Sequence, residues 1–159
     1  MPGGPFAHVA FLVFDLDRAI EDWTRILGVL DPGQLEAKIV RSEKLASGDD
    51  TVRWATFVSE TGTEIQLVEP QPDTPLGRRL ARHGEHIHHL CFTTDDVSGA
   101  VSRLEAAGVA VTGGRDNTDP ALPWQRWSWI SPESAHGVLI EVAKPYEARD
   151  GRWEPKEPG

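Results

Sequence analysis

Hydrophobic and polar positions along the chain form one pattern that occurs twice. His8-Val-Ala-Phe-Leu-Val alternates as a strand does, reaches an acidic turn at Asp15-Leu-Asp17, and gives way to apolar residues at Ala19, Ile20, Trp23, Ile26 and Leu27. That 3–4 spacing predicts an amphipathic helix. His89-Leu-Cys-Phe-Thr-Thr, the turn Asp95-Asp96-Val97 and then Ala100, Val101, Leu104 and Ala107 repeat the order. Gly28-Val29 and Gly108-Val109 predict the two helix C-termini. Further on, Thr63-Glu-Ile-Gln-Leu-Val-Glu-Pro70 matches Val138-Leu-Ile-Glu-Val-Ala-Lys-Pro145. His8 and His89 stand 81 residues apart and Gln66 and Glu141 stand 75 apart, so the second copy is six residues shorter in its middle.

Each copy therefore reads as strand, helix and three strands, the later strands near 35–43, 51–58 and 63–68 and near 109–112, 126–131 and 137–143. The expected organisation is a single domain over 1–159, with a first βαβββ module at 6–70 and a second at 87–145. A short basic helix from Leu76 to His83 joins them, and the polar, proline-rich tail after Pro145 predicts a poorly packed extension. One helix covers only one face of each unit. Two such units side by side give an α+β fold, a half-open barrel around a central cavity.

Strand alternation sorts the side chains. Val9, Phe11 and Val13 face the helix, which turns His8, Ala10 and Leu12 inward; Leu90 and Phe92 face outward, which turns His89, Cys91 and Thr93 inward. On the same logic Glu64, Gln66 and Val68 point in, as do Leu139 and Glu141. A single inward histidine is ordinarily a hydrogen-bonded core residue. Here the repeat brings His8, His89, Gln66 and Glu141 onto matched inward positions. Two imidazoles, a carboxylate and an amide oxygen suit a divalent first-row metal with positions left for water or substrate. His86 and His88 offer a rival register, because a one-residue slip would turn His88 inward; the match of His89-Leu-Cys-Phe to His8-Val-Ala-Phe decides for His89.

Composition narrows the partners. With 25 acidic and 16 basic residues the net charge is −9, which argues against nucleic acid and anionic membrane surfaces. One cysteine, Cys91, excludes an internal disulfide. No apolar run approaches the ~18 residues of a membrane span, and MPGGPFAHVA lacks the basic start and apolar core of a signal segment. A cytoplasmic protein with a small-molecule substrate is expected, assembled as a homodimer. Six tryptophans are many for 159 residues. Trp127 and Trp129 share a strand face, so the 124–129 segment is expected to wall a pocket or an interface.

The stretches HVAFLVFDLDRAIEDWTRILG, IQLVEP followed by PDTPLGRRLARHGEHIHHLCF, and SPESAHGVLIEV resemble the vicinal oxygen chelate superfamily, which includes glyoxalase I and the extradiol dioxygenases, and are most similar in pattern to the methylmalonyl-CoA epimerases. The resemblance covers most of the chain outside 29–50, 112–126 and the tail. It implies a glyoxalase-like fold with His8, Gln66, His89 and Glu141 as ligands of a divalent ion: cobalt, manganese, nickel, zinc or iron. It also implies a carboxylate base ahead of the third strand. Counting back from Gln66 reaches Asp50 in Gly48-Asp-Asp50, with Glu43 as a further candidate, while a solvated turn accounts for Asp49 and Asp50 equally well. The leading expectation is an epimerase, isomerase or lyase acting through an enolate on a small carbonyl or acyl-thioester substrate, with Glu141 or Asp50 moving the proton. Two alternatives stand beside it. One is an iron(II) extradiol-type dioxygenase in which Gln66 is an onlooker; the other is a non-catalytic binding protein on the same fold.

Overall fold

Alternation of the kind just described requires a helix on one face of each strand set, and the computed structural model has that arrangement; it describes residues 5–36, 38–44, 51–120, 122–149 and 152–156. The strands are β1 (Phe6–Leu12), β2 (Lys38–Lys44), β3 (Thr51–Val58), β4 (Glu64–Pro70), β5 (His86–Thr93), β6 (Val111–Asp119), β7 (Leu122–Ile130), β8 (Leu139–Ala143), β9 (Tyr146–Arg149) and β10 (Arg152–Pro155). The helices are α1 (Leu16–Leu30), α2 (Pro75–His83) and α3 (Val97–Ala106). Strands β1 to β8 form one sheet in the order β2-β3-β4-β1-β5-β8-β7-β6. The order is symmetric about the antiparallel β1/β5 seam, with parallel β1/β4 and β5/β8 pairs on either side. β2 and β6 are the two edges of the sheet, which stays open. The expected α+β, half-open, glyoxalase-like architecture of two βαβββ units is the one observed.

α1 begins where Asp15 accepts from the Arg18 N–H at 3.0 Å and Glu69 accepts from the Leu16 N–H at 2.7 Å, satisfying two of the free donors of the first turn. Its apolar stripe closes on the outer face of the first strand set. Leu16, Ala19 and Leu27 pack with Ala55, Phe57 and Leu67, joined by Phe11, Ile20, Trp23 and Ile65. The inner face of this half is also covered, by Leu80 of α2 over Leu12, Val52 and Val68. The turn into α2 is so tight that a Cβ at Gly77 would stand 1.9 Å from the Gln71 carbonyl oxygen, a position only glycine fills.

Three expectations are corrected. Gly28 does not end α1: the helix runs on to Leu30, where Asp31 donates its N–H to Leu27 O at 2.8 Å and Pro32 opens a short 3-10 turn. A proline stops a helix, whereas a glycine within one only weakens it. Gly108, by contrast, follows α3 with φ +84° and does serve as the stop. The strand expected at 109–112 extends to Asp119 and pairs with a β7 that begins at Leu122, with a register shift between Thr112 and Asn117. Finally, the tail is not loosely packed. β9 and β10 pair as an antiparallel hairpin, and Trp153 is buried against Trp54, ring centroids 5.1 Å apart.

Candidate metal centre

The two inner histidines arrive by the same local route. His8 lies opposite Glu64 on the parallel neighbour of its strand, and Ala10 lies opposite Gln66; His89 lies opposite Leu139, and Cys91 opposite Glu141. Gln66 and Glu141 therefore hold the same register position in the two halves. β5 keeps this register through an irregularity: Ala10 pairs with His89 and Phe11 with Ile87, leaving His88 as the extra residue. The slip that offered His88 as a rival is thus absorbed in one bulge.

His8 Nε2 stands 2.9 Å from His89 Nε2 and 3.6 Å from Glu141 Oε2, and His89 Nε2 stands 3.1 Å from the same oxygen. Donors placed ~2.1 Å from one ion stand about 3.0 Å apart at a right angle and about 3.4 Å apart at the tetrahedral angle. Two of the three separations lie close to the right-angle value, and the third, 3.6 Å, is slightly wider than the tetrahedral one. Gln66, at the register position matched to Glu141, is 4% exposed.

Charge is arranged to suit a cation. Burial alone would raise the pKa of Glu141, yet its hydrogen bonds to His8 and His89 outweigh that and hold the carboxyl well below the usual range. Burial lowers the pKa of His89 against the opposing pull of Glu141, which favours the neutral ring a metal needs. Each imidazole is also held at its far nitrogen. His8 Nδ1 hydrogen-bonds to the Tyr146 hydroxyl, and His89 Nδ1 lies 2.8 Å from His88 Nδ1. The pKa of His88 falls to about 3, first through burial and then through His89, Arg79 and His86, so at neutral pH its ring can accept the His89 Nδ1–H.

Cys91 also reaches the cluster: one ligand atom from each of His8, Cys91 and Glu141 lies within 4.8 Å of the others. Burial, and then the charges of Glu141 and Glu64, raise its thiol pKa, so His89 is the better third donor. Trp129 meets His89 edge to face with ring centroids 5.2 Å apart, which puts the 124–129 segment at the centre. Its ring is admitted by Gly113, at φ +69°, where a Cβ would stand 2.9 Å from Trp129 Cδ1. Asp50 lies outside the described residues, and of Glu43 only its backbone pairing with Val52 is described. Sequence reasoning missed Tyr146 and Trp153, and it gave Glu64 and His88 no role at the centre. The available signals were the chain's only tyrosine directly after Pro145 and a tryptophan in an otherwise polar tail.

The glyoxalase/bleomycin resistance protein/dioxygenase superfamily profile matches residues 7–122. The chain belongs to this superfamily. It is 26% identical over 148 residues to the ethylmalonyl-CoA/methylmalonyl-CoA epimerase of Cereibacter sphaeroides, covering 87% of this chain and 96% of that protein. To the 2-epi-5-epi-valiolone epimerase of an Actinomyces species it is 28% identical over 148 residues, covering 85% and 76%. The crystal structure of methylmalonyl-CoA epimerase from Mycobacterium tuberculosis superposes with a TM-score of 0.67 at 25% identity, covering 91% of this chain and 92% of that one. These superfamily relatives are epimerases. Among the described residues no helix is long and apolar enough to cross a membrane.

Proposed function

We propose that the chain is a divalent-metal-dependent epimerase of a small acyl-thioester, with His8, Gln66, His89 and Glu141 as the metal ligands. The observation that carries this reading is the spacing of His8 Nε2, His89 Nε2 and Glu141 Oε2, 2.9–3.6 Å from one another on one face of the sheet. Two epimerase relatives, one of them acting on acyl-CoA by name, support the reaction class. A bound divalent ion supplies Lewis-acid stabilisation of the charge that develops on a substrate carbonyl oxygen as the neighbouring carbon loses its proton.

The protein's own groups divide the remaining work. Glu141, held below the usual carboxylate range by two histidines, is a weak proton acceptor and serves as a ligand. Glu64 is buried and accepts from Thr56 and Trp153, which commits it to structure. We assign proton transfer to Asp50, which, like Glu43, the sequence places ahead of β3. Trp129 walls the His89 side.

The test is solvent exchange. Incubated with methylmalonyl-CoA in deuterated water, the metal-loaded protein is expected to incorporate deuterium at the α-carbon without consuming oxygen. Chelation should abolish exchange and a divalent ion should restore it; Asp50→Asn should slow it by ~10²–10⁴-fold. Oxygen uptake coupled to turnover, with no exchange, would transfer the assignment to dioxygenase chemistry.

A further inference from the structure

The C-terminal hairpin meets the centre at the one ligand whose outer nitrogen faces the tail. His8 turns Nε2 toward His89 and Glu141, and on the opposite edge of the ring Nδ1 meets the Tyr146 hydroxyl. Beside them lies Glu64, 1% exposed and directly across the parallel ladder from His8. No cation pairs with Glu64 among the described residues. A buried carboxylate must then be satisfied by neutral donors. Its Oε1 accepts from Thr56 Oγ1 at 2.6 Å and from Trp153 Nε1 at 3.2 Å, and its charge bears on the Tyr146 hydroxyl. Trp153 and Tyr146 both come from the hairpin, one from each strand.

We propose that the hairpin, through Tyr146, is a positioning device for His8: Nδ1–H donates to the Tyr146 oxygen, the Tyr146 O–H donates toward Glu64, and the Nε2 lone pair is thereby aimed at the metal. A phenol O–H that donates to a carboxylate keeps lone pairs on its oxygen for an imidazole N–H. A ring that carries its proton on Nδ1 presents an unprotonated Nε2, and a chain ending in a carboxylate strengthens it as a ligand. Tyr146 is a positioning residue; it touches neither substrate nor metal. This inference rests on the metal reading above.

Cobalt(II) titration of the full chain tests it, followed by visible absorption, with the thermal midpoint of the metal-free protein measured alongside. Tyr146→Phe keeps the ring and removes the hydroxyl. It is expected to weaken cobalt binding by ~10–100-fold, the usual cost of losing a group that orients a ligand. In zinc-loaded protein labelled with ¹⁵N-histidine, His8 Nδ1–H should give a downfield proton signal protected from exchange, and Tyr146→Phe should move it and speed its exchange. A hairpin that only stabilises the fold would lower the thermal midpoint and leave that signal in place. Should Tyr146→Phe fail to fold, Glu64→Gln replaces an acceptor with a group that also donates, and is expected to weaken cobalt binding in the same way. Wild-type protein that binds cobalt while both variants bind it equally well overturns the positioning role alone. Wild-type protein that takes up no cobalt overturns the metal reading, and this proposal with it.

Discussion

The two βαβββ halves share one strand plan and differ in what covers them. In the first, α1 runs for 15 residues and closes on Ala55, Phe57 and Leu67, while α2 and the C-terminal hairpin cover the inner face. In the second, α3 has only 10 residues, and beneath it lies an apolar recess of about 480 Å³ lined by Phe92, Leu104, Ile130, Ile140 and Val142. The same asymmetry reaches the candidate centre. The side chain of His8, from the covered half, is 6% exposed, whereas those of His89 and Glu141 are 12% and 18% exposed. A duplicated unit thus supplies matched inward positions, and the two halves cover them unequally.

The largest expected effect lies in the covered half. Phe57→Ala, at a fully buried position, should lower the unfolding free energy in urea by about 3–5 kcal/mol. Leu104→Ala, on the edge of the recess, should cost about 1 kcal/mol, since its side chain is only partly buried. Equal losses would break the contrast between the two helix-covered faces.

The matched pair Gln66 and Glu141 sharpens the comparison at the centre. Both hold one register position, and one is neutral while the other is charged. Glu141→Gln should weaken divalent-ion binding by about 100-fold, and Gln66→Ala by about 10-fold, both read by cobalt titration. Equal effects would mean that the halves contribute alike to the ion.

The smallest effect is gradual and belongs to the second half, which carries His88, His89 and Glu141. All three have folded-state pKa values below their ordinary ones. The unfolded chain therefore binds protons at higher pH than the folded one, and acid favours unfolding. The urea midpoint of the metal-free protein should be level between about pH 7 and 8, fall as the pH drops below about 6.5 through the histidines, and fall further below about 4.5 as Glu141 joins them. His88→Gln should flatten the first part of that decline. A midpoint that rises on acidification would contradict the buried, neutral state of these rings.

Much of this was legible in the order of residues. The repeat and strand alternation were enough to place His8, His89, Gln66 and Glu141 on one face, because side chains of period two cannot change face without an irregularity. The bulge at His88 is such an irregularity, and only the lattice of pairs around β5 located it. Alternation also placed Glu64 inward, but nothing local distinguished a buried structural carboxylate from a candidate ligand.

What the sequence determined by itself was periodic: two βαβββ units, the faces of their strands and the four inward polar residues, all set by neighbours two to four positions apart. What the tertiary structure decided was non-local. Tyr146 and Trp153 look like scattered aromatics in a polar, proline-rich tail, and their burial depends on Trp54, Glu64 and His8, about 90 to 140 residues earlier in the chain. No local spacing encodes such contacts. They form because a hairpin with one apolar edge finds an uncovered apolar face, and because a buried carboxylate requires donors wherever the chain can supply them.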